Sequence, residues 1–409
     1  MIDFTRWLSP GAEVWWGQAA AEPRPLVDAL LGQTEELSPL RLFTGLSWND
    51  QLAGALSPSD VMVSYGGLGT LRALGQSRQL DVVPCHYSAL PRMFAEGHLP
   101  RDAGLIQVAR PDRDGMCSLG FGVDYMADAL QHTPLIFAEI NHRMPTVPGS
   151  PSIPLDRFAA TVETDRSLEE ERRGTPSSVE HAIARNVAGL VEDGDTLQVG
   201  VGSTGAAIAE ALSGHRDLGL HSGMLTDGLL RLVEDGVVTG ARKEIDAGLA
   251  VAGTALGSTE LYERVANAPV RFRPTSYTHS PAVLSRLSSL VSVNFAIEVD
   301  LTGQVGAEVS RGTYLGAVGG QVDFARAAAL TGRRSVIALR STVRGRSSIK
   351  FELDEGVVTT ARADVDCVVT EHGIAHLRGQ PLAERRRRLI EIAAPEFRDC
   401  LAEAVRVAS

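Results

Sequence analysis

Cysteine is scarce in this chain, with four residues among 409: Cys85, Cys117, Cys367 and Cys400. None stands in a Cys-x-x-Cys pair, so they read as reduced intracellular thiols and not as a disulfide frame or a zinc site. No trio of His, Cys and Asp has metal-ligand spacing either, and no metal is expected. Positive charge is also short, 39 Lys and Arg against 50 Asp and Glu, for a net charge of −11. That argues against a nucleic-acid partner, which wants a basic face. It leaves an anionic small ligand open, since a few arginines and helix N-termini suffice for one. Long apolar runs are missing, and nothing approaches the ~18–20 residues of a membrane span. The opening Met1-Ile-Asp-Phe-Thr-Arg-Trp7 lacks the basic-then-apolar pattern of a secretory leader, so a cytoplasmic location is expected. There is no low-complexity segment.

What is present is ordinary globular material, 44% hydrophobic and 22% charged. The length exceeds what one hydrophobic core supports, so two domains are expected. Short apolar runs alternate with helical patterns, the mark of parallel-sheet architecture. Candidate buried strands in the first half are Arg41–Leu46, Asp60–Tyr65, Leu80–Pro84, Gly104–Ala109 and Thr133–Ile140, with helices at Pro25–Leu31 and Ser88–Glu96. The polar stretch Asp165–Ser178, which includes Arg172-Arg-Gly-Thr-Pro176, is the best linker. A helix capped by Ser178 should follow it to about Glu192. Further strands are expected at Asp195–Gly202, Gly248–Val251, Leu290–Val293, Val336–Leu339, Gly356–Thr360 and Cys367–Thr370. The expected fold class is α/β, two open, mostly parallel α/β domains over residues 1–175 and 176–409. Ligands of such sheets bind at strand carboxyl ends, and a cleft between the two domains is the expected place.

Several constellations could carry chemistry. Gly200-Val-Gly-Ser-Thr-Gly205 puts small residues between a strand and the apolar helix Ala206–Leu212. Free amides and the helix dipole there favour an anion such as phosphate, although a tight turn alone would look the same. It is not a full dinucleotide fingerprint, for want of the acidic ribose residue, nor a Walker A loop. Ala317-Val-Gly-Gly-Gln-Val-Asp-Phe324 sets Gly319 and Gly320 before a helix at Ala325–Leu330, where exposed amides can stabilise an oxyanion or merely pack a turn. Phe295–Leu301 alternates like a strand with Glu298 and Asp300 on one face, an acid/base pair or hydrogen-bonded scaffold. Glu371 ends a strand and either supports a site or caps a following helix. A lone His such as His279 reads, by itself, as a satisfied polar residue. The Arg385–Arg388 run reads as a solvated helix face.

Asp217-Leu-Gly-Leu-His-Ser-Gly-Met-Leu-Thr-Asp-Gly228, Gly200–Thr204, Val293–Gln304, Ala317–Phe324 and Val368–Gly379 run in a fixed order and together resemble the acetyl-CoA hydrolase / 4-hydroxybutyrate CoA-transferase family. In the first half, His86–Phe94, Leu105–Val108, Cys117–Tyr125 and Ala138–Pro145 resemble it too, so the likeness spans about Leu40 to Arg398. It implies coenzyme A or acyl-CoA as substrate, a small carboxylic acid as second substrate, and a homodimer or higher homo-oligomer. It also implies a CoA-binding loop at Gly200, Val201, Gly202, Ser203 and Thr204, an oxyanion-hole glycine at Gly320 beside Gly319, and CoA contacts at Gly316 and Arg344. Glu371 matches a glutamate kept near the family's active site, and His221 its His or Tyr before the Ser/Thr-Glu pair. Two positions depart from the pattern. Where the family carries the Glu that forms an acyl anhydride and then a glutamyl-CoA thioester, this chain has Gly223; where it carries an Asn that orients that Glu, this chain has His279. Three readings follow: a CoA-transferase with a stand-in carboxylate (Glu371, Glu298, Glu139 or Asp124); a thioesterase or acyltransferase using water or a substrate nucleophile with His279 or His221 as base; or a non-catalytic acyl-CoA-binding relative.

Overall fold

The computed structural model describes residues 2–77, 79–171 and 174–407; Arg172 and Arg173, inside the linker read from the sequence, lie outside the described residues. The chain forms two compact units. The first takes Met1–Arg172, Val251–Ser280 and Thr313–Gly319; the second takes Arg173–Ala250, Pro281–Gly312 and Gly320–Ser409. Two segments that follow the linker in sequence thus pack with the first unit.

The first unit is built on a seven-stranded sheet in the order Ala160–Thr164, Leu135–Asn141, Ala103–Val108, Glu13–Trp16, Arg41–Phe43, Val61–Ser64, Leu80–Val82. Every pairing in it is parallel. The five strands anticipated from apolar runs are all in this sheet, whereas central Glu13–Trp16 and edge Ala160–Thr164 were not foreseen. Ala103–Val108 is buried at every position and Leu135–Asn141 at all but its first, as a parallel sheet covered on both faces demands. From Glu13–Trp16 the chain adds strands first to one side and later to the other, which makes the junction with Ala103–Val108 a topological switch point. Trp15 fills the core beside that junction, its Nε1 donating to Thr133 Oγ1 at 2.8 Å.

The second unit holds a six-stranded sheet in the order Gly219–Leu220, Thr196–Val199, Leu290–Phe295, Ser335–Ala338, Cys367–Thr370, Gly373–His376. Its pairings are parallel except the last, a hairpin. The earliest strand in sequence, Thr196–Val199, lies between the second and the third, so the switch point falls between Thr196–Val199 and Leu290–Phe295.

Three local expectations need correction. The helix Ser178–Ala188 is capped by Ser177, not Ser178, because Ser177 closes a reciprocal capping box with Glu180. Gly356–Thr360 forms no strand; Thr360 makes only an isolated bridge to Val305. Phe295–Leu301 is not one strand but breaks at Ala296–Ile297, and Glu298–Asp300 pairs instead with Val305–Gly306 and Ile349–Lys350.

The indole of Trp15 lies where a side chain on Gly104 would go: a Cβ there would stand 2.6 Å from Trp15 Cζ2. Gly104→Ala should therefore lower stability by about 1–3 kcal/mol through overpacking. Gly54→Ala, at a site with nothing within 4 Å, should leave it unchanged or raise it slightly. Urea unfolding of both variants checks this, and equal midpoints would refute it.

Candidate active site

In the second unit, Gly200 leaves Thr196–Val199 at the switch point, close enough to Phe295 that a Cβ on Gly200 would meet its ring at 3.0 Å. Gly202 has φ +114, which an L side chain rarely adopts, and precedes the helix Ser203–Ala211, three residues earlier than expected. Val201 is exposed and the first-turn amides have no intrahelical acceptor, the arrangement an anion uses. The hydroxyls of this loop are engaged elsewhere. Ser203 Oγ donates to the Glu180 carboxylate, Thr204 Oγ1 reaches the same oxygen at 3.4 Å, and an Arg340 nitrogen stands 3.0 Å from it. Burial pushes the Glu180 carboxyl up, but hydrogen bonds from the Ser177 amide, Ser203, the Ser177 hydroxyl and Arg340 outweigh it and hold it down at about 2. An anion bound at Gly200–Thr204 therefore has to use backbone amides.

His221 follows the neighbouring strand Gly219–Leu220 and is fully buried, its amide donating to Leu197 O at 2.9 Å. Gly223 sits in the bend after it, and Asp227 begins the helix Asp227–Glu234 one turn on. Beneath this bend lies Lys243, whose ammonium donates to Leu220 O at 3.1 Å and Leu249 O at 2.8 Å; burial pulls it down to about 8.

Glu371 does not cap a helix. It stands at the tight turn between Cys367–Thr370 and Gly373–His376, and its carboxylate accepts from Ser341 N at 2.9 Å and Ser341 Oγ at 2.6 Å. Since Arg340 next door grips Glu180, Glu371 and the Gly200–Thr204 loop are joined through Arg340-Ser341. Arg344 lies further out, at φ +50 with Gly345 at φ +73 in the turn of the hairpin Thr342–Val343/Arg346–Ser347. It is exposed and its guanidinium has no partner among the described residues. Gly320 caps the helix Gln321–Leu330, which starts four residues before the expected Ala325. Glu298 and Asp300 act as scaffold: Glu298 accepts from Asp354 N at 2.9 Å, and Asp300 clamps its own turn through Thr302 and Gln304. In the Arg385–Arg388 run, Arg387 and Arg388 pair with Glu384 on their own helix and Arg385 holds the Thr302 and Arg362 carbonyls.

In the first unit, Gly316 O accepts from Gly67 N at 3.0 Å, and Gly319, at φ +53, gives its carbonyl to Tyr87 N at 2.9 Å. His279 is 4% exposed, with its ring centroid 4.8 Å from that of Tyr87. Gly319 and His279 thus meet at Tyr87, a residue the sequence reading did not single out. Glu139 is locked in two short bonds to Arg166, at 2.7 and 2.9 Å, and Asp124 accepts from Gln18 at 2.7 Å. Among the described residues no group of three or more His, Cys, Asp or Glu is arranged to hold a metal ion, and no helix is long and apolar enough to cross a membrane.

Residues 4–170 match the acetyl-CoA hydrolase/transferase N-terminal domain and residues 257–405 the corresponding C-terminal domain. The 4-hydroxybutyrate coenzyme A transferase of Clostridium kluyveri is 40% identical over 338 residues, 81% of this chain and 79% of that one. The succinyl-CoA:acetate/propanoyl-CoA:succinate CoA transferase of Fasciola hepatica is 36% identical over 97% of this chain and 85% of its own length. The crystal structure of 4-hydroxybutyrate CoA-transferase from Porphyromonas gingivalis superposes with a TM-score of 0.83 at 33% identity, covering 99% of this chain and 96% of that one.

Glu180 supplies a pH test of the loop's bracing. Its folded-state carboxyl lies at about 2 against an ordinary 4.5, so its contribution is complete above 4.5 and is lost as pH falls towards 2. Glu180→Gln should cost on the order of 2 kcal/mol at about pH 6, with the deficit shrinking at about pH 2.5. Urea midpoints at both pH values measure it; a deficit independent of pH would contradict the assignment.

Proposed function

Since the chain belongs to the acetyl-CoA hydrolase/transferase family, we propose that it works on acyl-CoA thioesters, moving CoA between an acyl-CoA and a small carboxylic acid. The observation that carries this reading to the site is the Gly200–Thr204 loop. It opens a helix N-terminus at the switch point of a parallel sheet, where a phosphate of coenzyme A finds free amides. Exposed Arg344 is a cation for the same ligand, able to bind a phosphate bidentately. Gly316, Gly319 and Gly320 are assigned the oxyanion and CoA contacts, with Gly319 at a positive φ that leaves its amide unshielded by a Cβ. The enzyme is taken to act in the cytoplasm, as a homodimer or higher homo-oligomer, without a metal.

A second reading has its own support. In the family reaction a carboxylate attacks the thioester and then carries CoA. Gly223 has no such group, and the four candidate stand-ins are all engaged: Glu371 by Ser341, Glu298 by the Asp354 amide, Glu139 by Arg166, Asp124 by Gln18. This favours direct opening of the thioester by water or an acceptor nucleophile, with His279 or His221 as base.

The two readings separate by trapping. The protein is incubated with acetyl-CoA and then treated with hydroxylamine or borohydride, and its peptides are weighed by mass spectrometry. A modified Glu or Asp supports CoA transfer through a stand-in; release of free CoA with no adduct supports direct opening. Gly223→Glu should gain a CoA thioester at that position if the remaining machinery is intact. Calorimetry showing no binding of coenzyme A would remove every version of the proposal.

A further inference from the structure

The four arginines at 385–388 differ in what holds them. Arg387 and Arg388 pair with Glu384, and Arg385 donates to Thr302 O at 3.0 Å and to Arg362 O at 2.9 Å. Arg386, on the same helix Leu382–Ile392, has a guanidinium without a partner among the described residues, and it lines a cavity of about 360 Å³. A volume of that size falls in the range of small-molecule sites. Arg362 lines the cavity as well, exposed and likewise without a side-chain partner among the described residues. Burial, and after it the charge of Arg362, pushes the Arg385 guanidinium down, which marks positive charge gathered at this corner.

The rest of the lining is preformed and belongs wholly to the second unit. The loop 351–358 is tied at both ends: Asp354 N donates to Glu298 Oε1 at 2.9 Å, Lys350 pairs with Asp354 at 2.6 Å, and Thr359 N donates to Val305 O at 2.7 Å. From this loop Phe351 packs against the core that holds Val299 and Ile349, and Leu353 and exposed Val358 add apolar surface to the cavity. Two acids also line it. Asp300 is spent on its own turn, accepting from Thr302 N, Thr302 Oγ1 and Gln304 N at one oxygen and from Gln304 Nε2 at the other. Glu352 is exposed and its carboxylate has no partner among the described residues, although two uncommitted arginines line the same cavity.

Three chemistries meet here: guanidiniums that fork onto a phosphate, a carboxylate that accepts from hydroxyls, and a ring with two aliphatic neighbours for a flat apolar body. A simple carboxylic acid would offer Glu352 nothing but repulsion, and inorganic phosphate would leave the apolar wall wet. A nucleoside phosphate uses all three. We propose that this cavity binds a free nucleoside monophosphate, apart from the thioester substrate, with Arg362 and Arg386 on its phosphate, Glu352 accepting from its ribose hydroxyls and its base packed on Phe351, Leu353 and Val358. The cavity is distinct from the Gly200–Thr204 loop. The helix Leu382–Ile392 lies over the hairpin strand Gly373–His376, where Arg388 donates to His376 O at 2.8 Å, whereas Gly200 follows Thr196–Val199. Those two strands are four sheet spacings apart, about 19 Å. Arg344, the cation assigned to CoA, is not in the lining.

Calorimetry on the full chain with AMP tests this, with adenosine, inorganic phosphate and coenzyme A as comparison ligands. AMP should bind once per chain, and adenosine and inorganic phosphate each about tenfold more weakly or worse. Arg362→Gln and Arg386→Gln should each weaken AMP about tenfold or more, the effect of a lost charge-assisted bond. In Glu352→Gln the ratio of AMP to phosphate affinity should fall about threefold. Saturating coenzyme A should leave the AMP affinity within about twofold, since the two sites are separate. Four results overturn the proposal: no AMP binding, phosphate bound as tightly as AMP, an affinity unmoved in both arginine variants, or displacement of AMP by coenzyme A, which would make the cavity part of the CoA site. Should the arginine variants not fold, Glu352→Gln decides alone, and an unchanged ratio overturns it. AMP binding is read directly, so its outcome stands whether or not the protein cleaves acyl-CoA.

Discussion

Parallel strand pairing is the constraint on which the rest of this molecule depends. A parallel sheet cannot be closed by hairpins, so each strand must be followed by a crossover and all carboxyl ends collect along one edge. In the second unit that edge gathers Gly200–Thr204, His221–Gly223, Arg340-Ser341 and Glu371, although they are spread over more than a third of the sequence. In the first it gathers Gln18, Leu46, Tyr65 and Tyr87 after four successive strands. Each unit also reverses its direction of growth once. That reversal, the place where such sheets bind ligands, lies next to Gly200 in one case and Gln18 in the other.

Carboxylates of the second unit are held by several donors apiece, which fixes backbone more than it supplies reactivity. Glu180 ties a helix cap to a loop and to Arg340; Glu371 ties a hairpin turn to Ser341; Asp300 closes its own turn. A carboxylate with its lone pairs committed loses those bonds before it can attack anything, and each charge-assisted bond of this kind is worth roughly 1.5–3 kcal/mol. Asp124 and Glu22 are different. Burial dominates both, pushing Asp124 up to about 6 and Glu22 to about 7, with Ser47 as the principal donor to Glu22. Carboxyls of that kind spend part of the neutral range protonated and suit orientation better than nucleophilic attack.

The α/β class and most buried strands were legible because parallel strands covered on both faces are continuous apolar runs. Glu13-Val-Trp-Trp16 escaped because it is four residues long and opens with a charge, and its centrality is a matter of topology, not composition. Gly356–Thr360 misled in the opposite sense, since Val357 and Val358 have strand propensity but occupy a loop. The glycine loops were visible through residue type. Their braces were not: Ser177-x-x-Glu180 is a readable capping box, yet nothing in it announces that Glu180 also receives Ser203 and Arg340 from loops far along the chain. Tyr87 and Gln18 gave no signal at all, because a single Tyr or Gln has no periodicity and acquires meaning only when the sheet brings it beside His279 and Asp124.

On the proposed reading, in which Gly223 stands where the family carries its nucleophile, the change has a chemical consequence beyond lost rate. When an enzyme carboxylate takes the acyl group and then CoA, the protein keeps the thiol's binding energy through the exchange, and the acceptor must itself be a carboxylic acid able to attack the enzyme-bound CoA thioester. Without that intermediate, the acceptor meets the thioester directly, and any nucleophile that reaches the carbonyl at the right angle can receive the acyl group. General-base help then supplies about 10²–10⁴-fold, less than covalent relay combined with it, and the oxyanion amides carry a larger share of the barrier. On that reading, selection of the acceptor passes from the chemistry of an enzyme-bound intermediate to the shape and polarity of the space beside the glycine.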